Sequence, residues 1–390
     1  MIIGVDVTML VYAGSGVANY TYNLVKTLLE IDKKNEYRLF YSSLRRPKNF
    51  YYLDELKKAG GKVYKFRFPP SLLKLWWSRL HVIPVEWFIG KVDVFFSSDF
   101  LRPPLLPGTK GITTVHDLTW KIYPQFHEQR IIGAHAIKLE KTIKYKDIIV
   151  VDSQSTKNDL TKYYSKISGK KKIFVIYPGI GEEFRLINDK DPAFAKATAG
   201  KEKSKMILKK YGIDYPSDFL LYVGAIEPRK NLVRSIEVFS ELIKNNKFSD
   251  FIFIIAGRAG WKNENVFQSI KRLKLENKVK FIGYVDDEDL PFLYNAASLT
   301  VYLSAYEGFG LPPLESLACG TKVIVGDNSS LKETIDKKFL VNVNDKNKIL
   351  EKMKYLLENK IEINSKEIQD RFNWQEAARK FLKIISINNQ

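Results

Sequence analysis

The sequence is poor in the residues that build disulfides, metal centres and membrane spans. It holds one cysteine, Cys319, in 390 residues. No disulfide can close within the chain, and no cysteine-based metal site is available. A lone thiol suits a reducing compartment. The four histidines, His81, His116, His127 and His135, show no metal-ligand spacing. No uninterrupted apolar run reaches ~18 residues, which argues against a transmembrane helix. The opening Met1-Ile2-Ile3-Gly4-Val5-Asp6-Val7 lacks a basic leader and carries an early carboxylate, so it predicts a first strand in place of a signal peptide. Acidic side chains are also short, 44 against 63 basic, a net charge of +19. That balance favours something anionic: nucleic acid, an anionic bilayer or a phosphorylated substrate. A general lysine excess explains the charge equally well.

What is present is ample core material. Hydrophobic residues make up 45% and charged residues 27%, an ordinary globular composition, and the length suits two domains. Strands are expected at Ile2–Val7, Tyr37–Tyr41, Lys62–Phe66, Val92–Phe96, Gly111–Val115 and Asp147–Val151, with amphipathic stretches such as Tyr20–Glu30 between them. Apolar runs without alternation indicate strands buried on both faces. Tyr177-Pro178-Gly179 interrupts the pattern. A polar, low-complexity stretch at 188–205 follows and reads as an exposed loop or short helix. Strands then resume at Phe219–Val223, Phe251–Ala256, Val279–Ile282, Leu299–Leu303, Lys322–Val325 and Phe339–Val343. The class is α/β, with two doubly wound Rossmann-like domains, 1–180 and 181–373, and a ligand cleft between them. An amphipathic segment, Trp374–Leu382, closes the chain.

Charged and glycine-rich residues gather where strands end. Glu307-Gly308-Phe309-Gly310-Leu311-Pro312-Pro313-Leu314-Glu315 leaves an apolar strand and enters a helix-like run, with Glu315 expected in about the first turn. Gly308 and Gly310 allow close approach of backbone to ligand, and the amides of a helix N-terminus bind anions and polar groups. Glu227-Pro228-Arg229-Lys230-Asn231-Leu232 sets two cations before a helix expected near Asn231. Arg offers a bidentate fork and Lys a mobile point charge, together a diphosphate site. Ala13-Gly14-Ser15-Gly16-Val17 joins the first strand to the first helix. It is a tight turn or half a dinucleotide fingerprint, but Asn19 stands where the third glycine would be. Val115-His116-Asp117-Leu118, with Pro124 downstream, closes another strand. Gly283-Tyr284-Val285-Asp286-Asp287 is a further strand-end turn. Leu72–Trp87, with Trp76, Trp77, Trp87, Lys74 and Arg79, suits a buried helix or a membrane interface, and core packing is the simpler account.

The stretch at 307–315 resembles the E-x7-E signature of the family 4 retaining glycosyltransferases, and 227–232 resembles that family's Arg/Lys pair. The resemblance spans nearly the whole chain and implies the GT-B fold, with a C-terminal helix (374–390) packing back on the first domain. It implies a metal-independent, cofactor-free hexosyltransferase using a GDP- or UDP-sugar, mannose first, with a glycan or lipid-linked acceptor in surface polysaccharide synthesis. The enzyme would be cytoplasmic, at the inner membrane face. Arg229 and Lys230 would hold the diphosphate. Glu307 and the amides from Phe309 through Gly310 to Leu311 would orient the sugar, with Gly308 also lining the donor site, and Glu315 would hold the ribose. Tyr284 and Val285 would lie beside the base. Gly14, Ser15 and Gly16 would face the donor phosphate, and His116 the sugar; Asn19 replaces an arginine common in the family. A sugar-nucleotide epimerase of the same fold, a basic nucleic-acid-binding protein and a non-catalytic lectin-like relative are the alternatives.

Overall fold

The computed structural model describes residues 1–12, 14–44, 50–98, 100–164, 173–187, 199–214 and 217–387. The chain forms two compact units, Met1–Gly179 with Asn373–Gln390, and Ile180–Phe372.

The first unit is built on seven strands, β1 (Ile2–Asp6), β2 (Glu36–Ser42), β3 (Lys62–Phe66), β4 (Val94–Ser97), β5 (Lys110–Val115), β6 (Ile148–Val151) and β7 (Ile173–Val175). They pair in parallel in the order β3-β2-β1-β4-β5-β6-β7. Every residue of β4 and β6 is buried, as expected of strands covered on both faces. Helices α1 (Gly16–Ile31) and α2 (Gln129–Lys144) supply part of that cover.

The second unit holds β8 (Phe219–Val223), β9 (Ile252–Ala256), β10 (Val279–Gly283), β11 (Leu299–Tyr302), β12 (Val323–Gly326) and β13 (Leu340–Val341). Their order is β10-β9-β8-β11-β12-β13, again parallel. Helices α3 (Ala199–Lys210), α4 (Leu232–Leu242) and α5 (Leu311–Ala318) belong to it. The final helix, α6 (Trp374–Ile387), returns to the first unit. Its Trp374, Phe381, Ile384 and Ile385 enter the core formed by β1, β2 and α1. Among the described residues no helix is long and apolar enough to cross a membrane.

Each sheet has one place where strand order reverses, between β1 and β4 in the first and between β8 and β11 in the second. There neighbouring strands send their following loops to opposite sides and leave a crevice at their C-terminal ends, where ligands of such sheets bind. The loops after β8 and β11 carry the two motifs read from the sequence, 227–232 and 307–315.

The strand expectations hold to within a few residues at their ends, and β7 is an additional edge strand of three residues. Of the loop expected at 188–205, residues 188–198 lie outside the described residues, and the remainder starts helix α3. The tryptophans of 72–87 divide. Trp77 is fully buried in the core with Phe40 and Phe95, whereas Trp87 is 70% exposed, so core packing explains only part of that segment.

Candidate active site

The site in the second unit is assembled from two loops pinned to each other. After β8 the chain makes a short turn, Pro228–Lys230, and Asn231 takes a left-handed conformation (φ 57°) that launches α4 at Leu232. After β11 the chain passes through Glu307 to Gly310 and enters α5. The Ala305 N–H donates to the Arg229 carbonyl at 2.8 Å, tying the second loop to the first. The turn after β12 supports it as well. Glu307 N–H donates to the Ser329 hydroxyl at 2.9 Å, and the Ser330 hydroxyl lies 2.9 Å from the carbonyls of both Glu307 and Phe309. Gly310 has φ 91°, and a Cβ there would sit 2.6 Å from Leu331 Cδ2, so both backbone and space call for glycine.

Within this frame lies a buried charge cluster. Lys230 Nζ donates to Glu307 Oε1 at 2.6 Å and to the Tyr302 hydroxyl at 2.7 Å. Arg229 donates from Nη1 to Glu307 Oε2 and from Nε to Glu227 Oε2, both at 2.9 Å. Glu307 and Lys230 are 5% and 6% exposed. Burial alone would push the Glu307 carboxyl upward, but Lys230 and Arg229 outweigh it and hold the group down at about 2. Burial lowers the Lys230 pKa, Arg229 adds to that effect, and the two carboxylates oppose it. Two cations and two carboxylates thus neutralise each other. Sequence reasoning expected Glu307 as an acceptor for sugar hydroxyls; in the structure both its oxygens already accept from the cations.

Glu315 is the fifth residue of α5, so it opens the second turn and does not lie in the first, as spacing from Glu307 had suggested. Its Oε2 accepts from the Tyr294 hydroxyl at 2.9 Å. Burial raises its pKa to about 8, with Glu183 and Asp287 adding to the rise and Tyr294 opposing it. A carboxyl whose folded pKa exceeds its ordinary 4.5 leaves stability intact below that value and lowers it as pH climbs through 8. Glu315→Gln is therefore expected to gain on the wild type between about pH 5 and pH 9, by about 2–4 kcal/mol over that range given partial exposure. Urea melts across the range test this, and a difference independent of pH would contradict it.

The remaining expected residues occupy other loop ends. Tyr284 and Val285 follow β10: Val285 is buried, the Tyr284 hydroxyl donates to Asp287 Oδ1 at 3.0 Å, and the Arg258 guanidinium lies 4.6 Å from the Tyr284 ring. Gly308 continues the loop and Phe309 packs edge-on to Phe372. Gly14 and Ser15 precede α1, which starts at Gly16; the Ser15 hydroxyl caps it by accepting from Ala18 N–H at 3.2 Å. His116 follows β5 in the first unit, and Tyr20 of α1 meets its ring edge-on at 4.8 Å. Direct contacts join Arg229, Lys230 and Glu307; Gly14–Gly16 and His116 belong to the first unit.

Several supporting residues were not singled out in the sequence. Glu227 stands inside the quoted motif, and its partnership with Arg229 could have been read from its place two residues before a buried cation. Tyr302 reads only as the last residue of an apolar strand. Ser329 and Ser330 lie some twenty residues from the loop they hold, and Asp152 lies 36 residues from His116, so spacing carries no sign of either.

The sequence and the fold resemble those of known proteins. A family model described as Glycosyl transferases group 1 matches residues 204–381, and one described as Glycosyltransferase Family 4 matches residues 14–184. The chain is 26% identical over 330 residues to the O-antigen chain mannosyltransferase B of Escherichia coli, covering 83% of this chain and 82% of that protein. It is 31% identical over 217 residues to the O-antigen chain mannosyltransferase RfbU of Salmonella typhimurium (strain LT2), covering 55% of this chain and 51% of that one. The fold matches Anabaena Alr3699/HepE, solved in complex with UDP and glucose, with a TM-score of 0.69 at 15% identity over 99% of each chain. Two parallel sheets with these strand-end loops are those of a GT-B glycosyltransferase. The chain belongs to glycosyltransferase family 4, its first half matched by the family 4 model and its second by the group 1 model. Neither the epimerase nor the nucleic-acid reading finds support among these relatives.

Proposed function

We propose that this enzyme is a retaining, metal-independent hexosyltransferase. It moves mannose from a nucleoside diphosphate sugar, GDP-mannose in the first instance, to a hydroxyl of a glycan or lipid-linked acceptor in surface polysaccharide assembly at the inner membrane face. The observation that carries the reading is the buried Arg229–Lys230–Glu307 cluster at the strand-order reversal of the second sheet. The names of the O-antigen mannosyltransferases it resembles support mannose and polysaccharide.

Cleaving the anomeric C–O bond puts negative charge on the departing diphosphate and positive charge on the sugar ring. Arg229 and Lys230, with the N–H groups of Gly310 and Leu311 ahead of Pro312 and Pro313, answer the first charge without a divalent ion. Diphosphate oxygens compete with Glu307 for both cations. As the cations turn to phosphate, the Glu307 oxygens become acceptors for sugar hydroxyls. Glu315 holds the ribose, Tyr284 and Val285 flank the base, and Gly14–Gly16 and His116 serve the phosphate and sugar from the first unit. Retention follows from same-face attack, the leaving phosphate accepting the acceptor's proton.

The test is direct. The purified chain is screened by thermal shift against GDP-mannose, UDP-glucose and other nucleotide sugars, and the product anomer is read by NMR. Stabilisation by GDP-mannose and an α-anomeric product are expected. Inversion at the anomeric carbon would remove the retaining assignment, and stabilisation by a different donor alone would remove mannose.

A further inference from the structure

The two ring nitrogens of His116 both face acceptors. Nδ1 lies 2.6 Å from Asp152 Oδ2, and Nε2 lies 2.9 Å from the Ser98 carbonyl oxygen. A carbonyl can only accept, so Nε2 carries a hydrogen. A carboxylate also accepts, and an imidazole is ordinarily far more basic than a carboxylate, so the shared proton sits on Nδ1. The ring is then an imidazolium. This differs from the arrangement in which a histidine base keeps one bare nitrogen toward its substrate while a carboxylate holds the other.

The surroundings explain why the pair forms. Asp152 directly follows β6 beside β5, where Val115 registers with Val151, so adjacent strand ends deliver the two side chains to one edge. Asp152 is 5% exposed, and its Oδ1 has no hydrogen-bond partner among the described residues. A buried carboxylate with a single hydrogen bond needs a cation. Burial raises the Asp152 pKa and His116 opposes the rise. Other charged groups bear on the pair. Asp117 adjoins His116, and α2 contributes Lys138, which donates to the Thr114 carbonyl at 2.8 Å. His135 of α2 is held neutral, at about 4, mainly by burial, with Asp117, Lys138, His127 and His116 as its charged neighbours. Tyr20 packs from α1, and Asp6 of β1 interacts with Lys138.

We infer that Asp152 is a positioning residue for the transfer reaction. It keeps His116 doubly protonated, so that Nε2–H is offered to a hydroxyl oxygen of the donor sugar in place of the Ser98 carbonyl. His116 is thereby a fixed hydrogen-bond donor and not a general base. The inference deepens the reading above and rests on His116 facing the sugar.

The experiment uses the full chain labelled with ¹⁵N-histidine, whose four histidines are few enough to assign by substitution. Wild-type His116 is expected to show two protonated nitrogens at pH 7, above the ordinary value of about 6.5. In Asp152→Asn the doubly protonated form should be lost at that pH, and kcat should fall at least about tenfold with a smaller change in donor KM. Asp152→Glu should recover part of the loss. A singly protonated His116 in the wild type at pH 7 overturns the inference, and that measurement stands even if the Asp152 variants fail to fold. Wild-type kcat and pH profile in Asp152→Asn overturn it as well. Full activity in His116→Ala would remove His116 from the sugar site, while the diphosphate reading, tested at Arg229 and Lys230, would stand.

Discussion

Alanine at Arg229 or at Lys230 is expected to lower kcat about 10²–10³-fold, the scale of losing one donor to a developing oxyanion, about 3–4 kcal/mol. In the proposed function both cations face the departing diphosphate, and each is anchored separately in the cluster, Arg229 by Glu227 and Lys230 by the Tyr302 hydroxyl. Arg229→Lys should recover little, because a lysine cannot reproduce a fork that bridges two groups. Folding should survive each single change. Without Arg229, Glu307 keeps Lys230; without Lys230, it keeps Arg229. Initial rates at saturating donor, with melting curves alongside, separate the two effects. Near-normal turnover in both alanine variants would remove the diphosphate assignment.

The second large effect runs the other way, through stability. Glu307→Ala strips Lys230 of its carboxylate while leaving the ammonium 6% exposed, with the Tyr302 hydroxyl as its hydrogen-bond partner. Breaking a buried pair from one side typically costs about 3–5 kcal/mol. The acid limb should change too. The Glu307 pKa of about 2 lies below its ordinary 4.5, so its contribution is complete above 4.5 and disappears as pH falls through 2. Adding Lys230→Met to Glu307→Ala should return much of the lost stability and none of the activity. Chemical denaturation of the three variants measures this. A cost below about 1 kcal/mol for Glu307→Ala would mean that the cluster is wetter than its geometry indicates.

The sequence made the strand-end chemistry legible because a parallel sheet concentrates it there. Glycines, prolines and charges at 227–232 and 307–315 stand out against Val-, Ile- and Phe-rich runs whose burial leaves no other place for ions. The return of Trp374 and Phe381 to the first core was legible only by resemblance, since an amphipathic stripe does not name what it covers. Partnerships across long separations were hidden for the same reason. Asp152 is another carboxylate at another strand end until β5 and β6 are set side by side. The occupied state of Glu307 was also out of reach, because pairing between loops depends on the β8–β11 adjacency and not on either loop. The split between Trp77 and Trp87 follows from two separate helical segments, Trp77 in the irregular helix Lys74–Leu80 and Trp87 in the short helix Glu86–Ile89, where the sequence reads as one.

The route of α6 has a consequence for how the chain matures. Residues 1–179 emerge first from a ribosome, yet their core is unfinished until Trp374, Phe381, Ile384 and Ile385 arrive. The segment 180–372, contiguous in sequence, can complete itself earlier, so the usual N-to-C schedule of domain folding is inverted. A nascent chain of this protein carries its oldest half open for longest, with the apolar seat of α6 uncovered through most of synthesis.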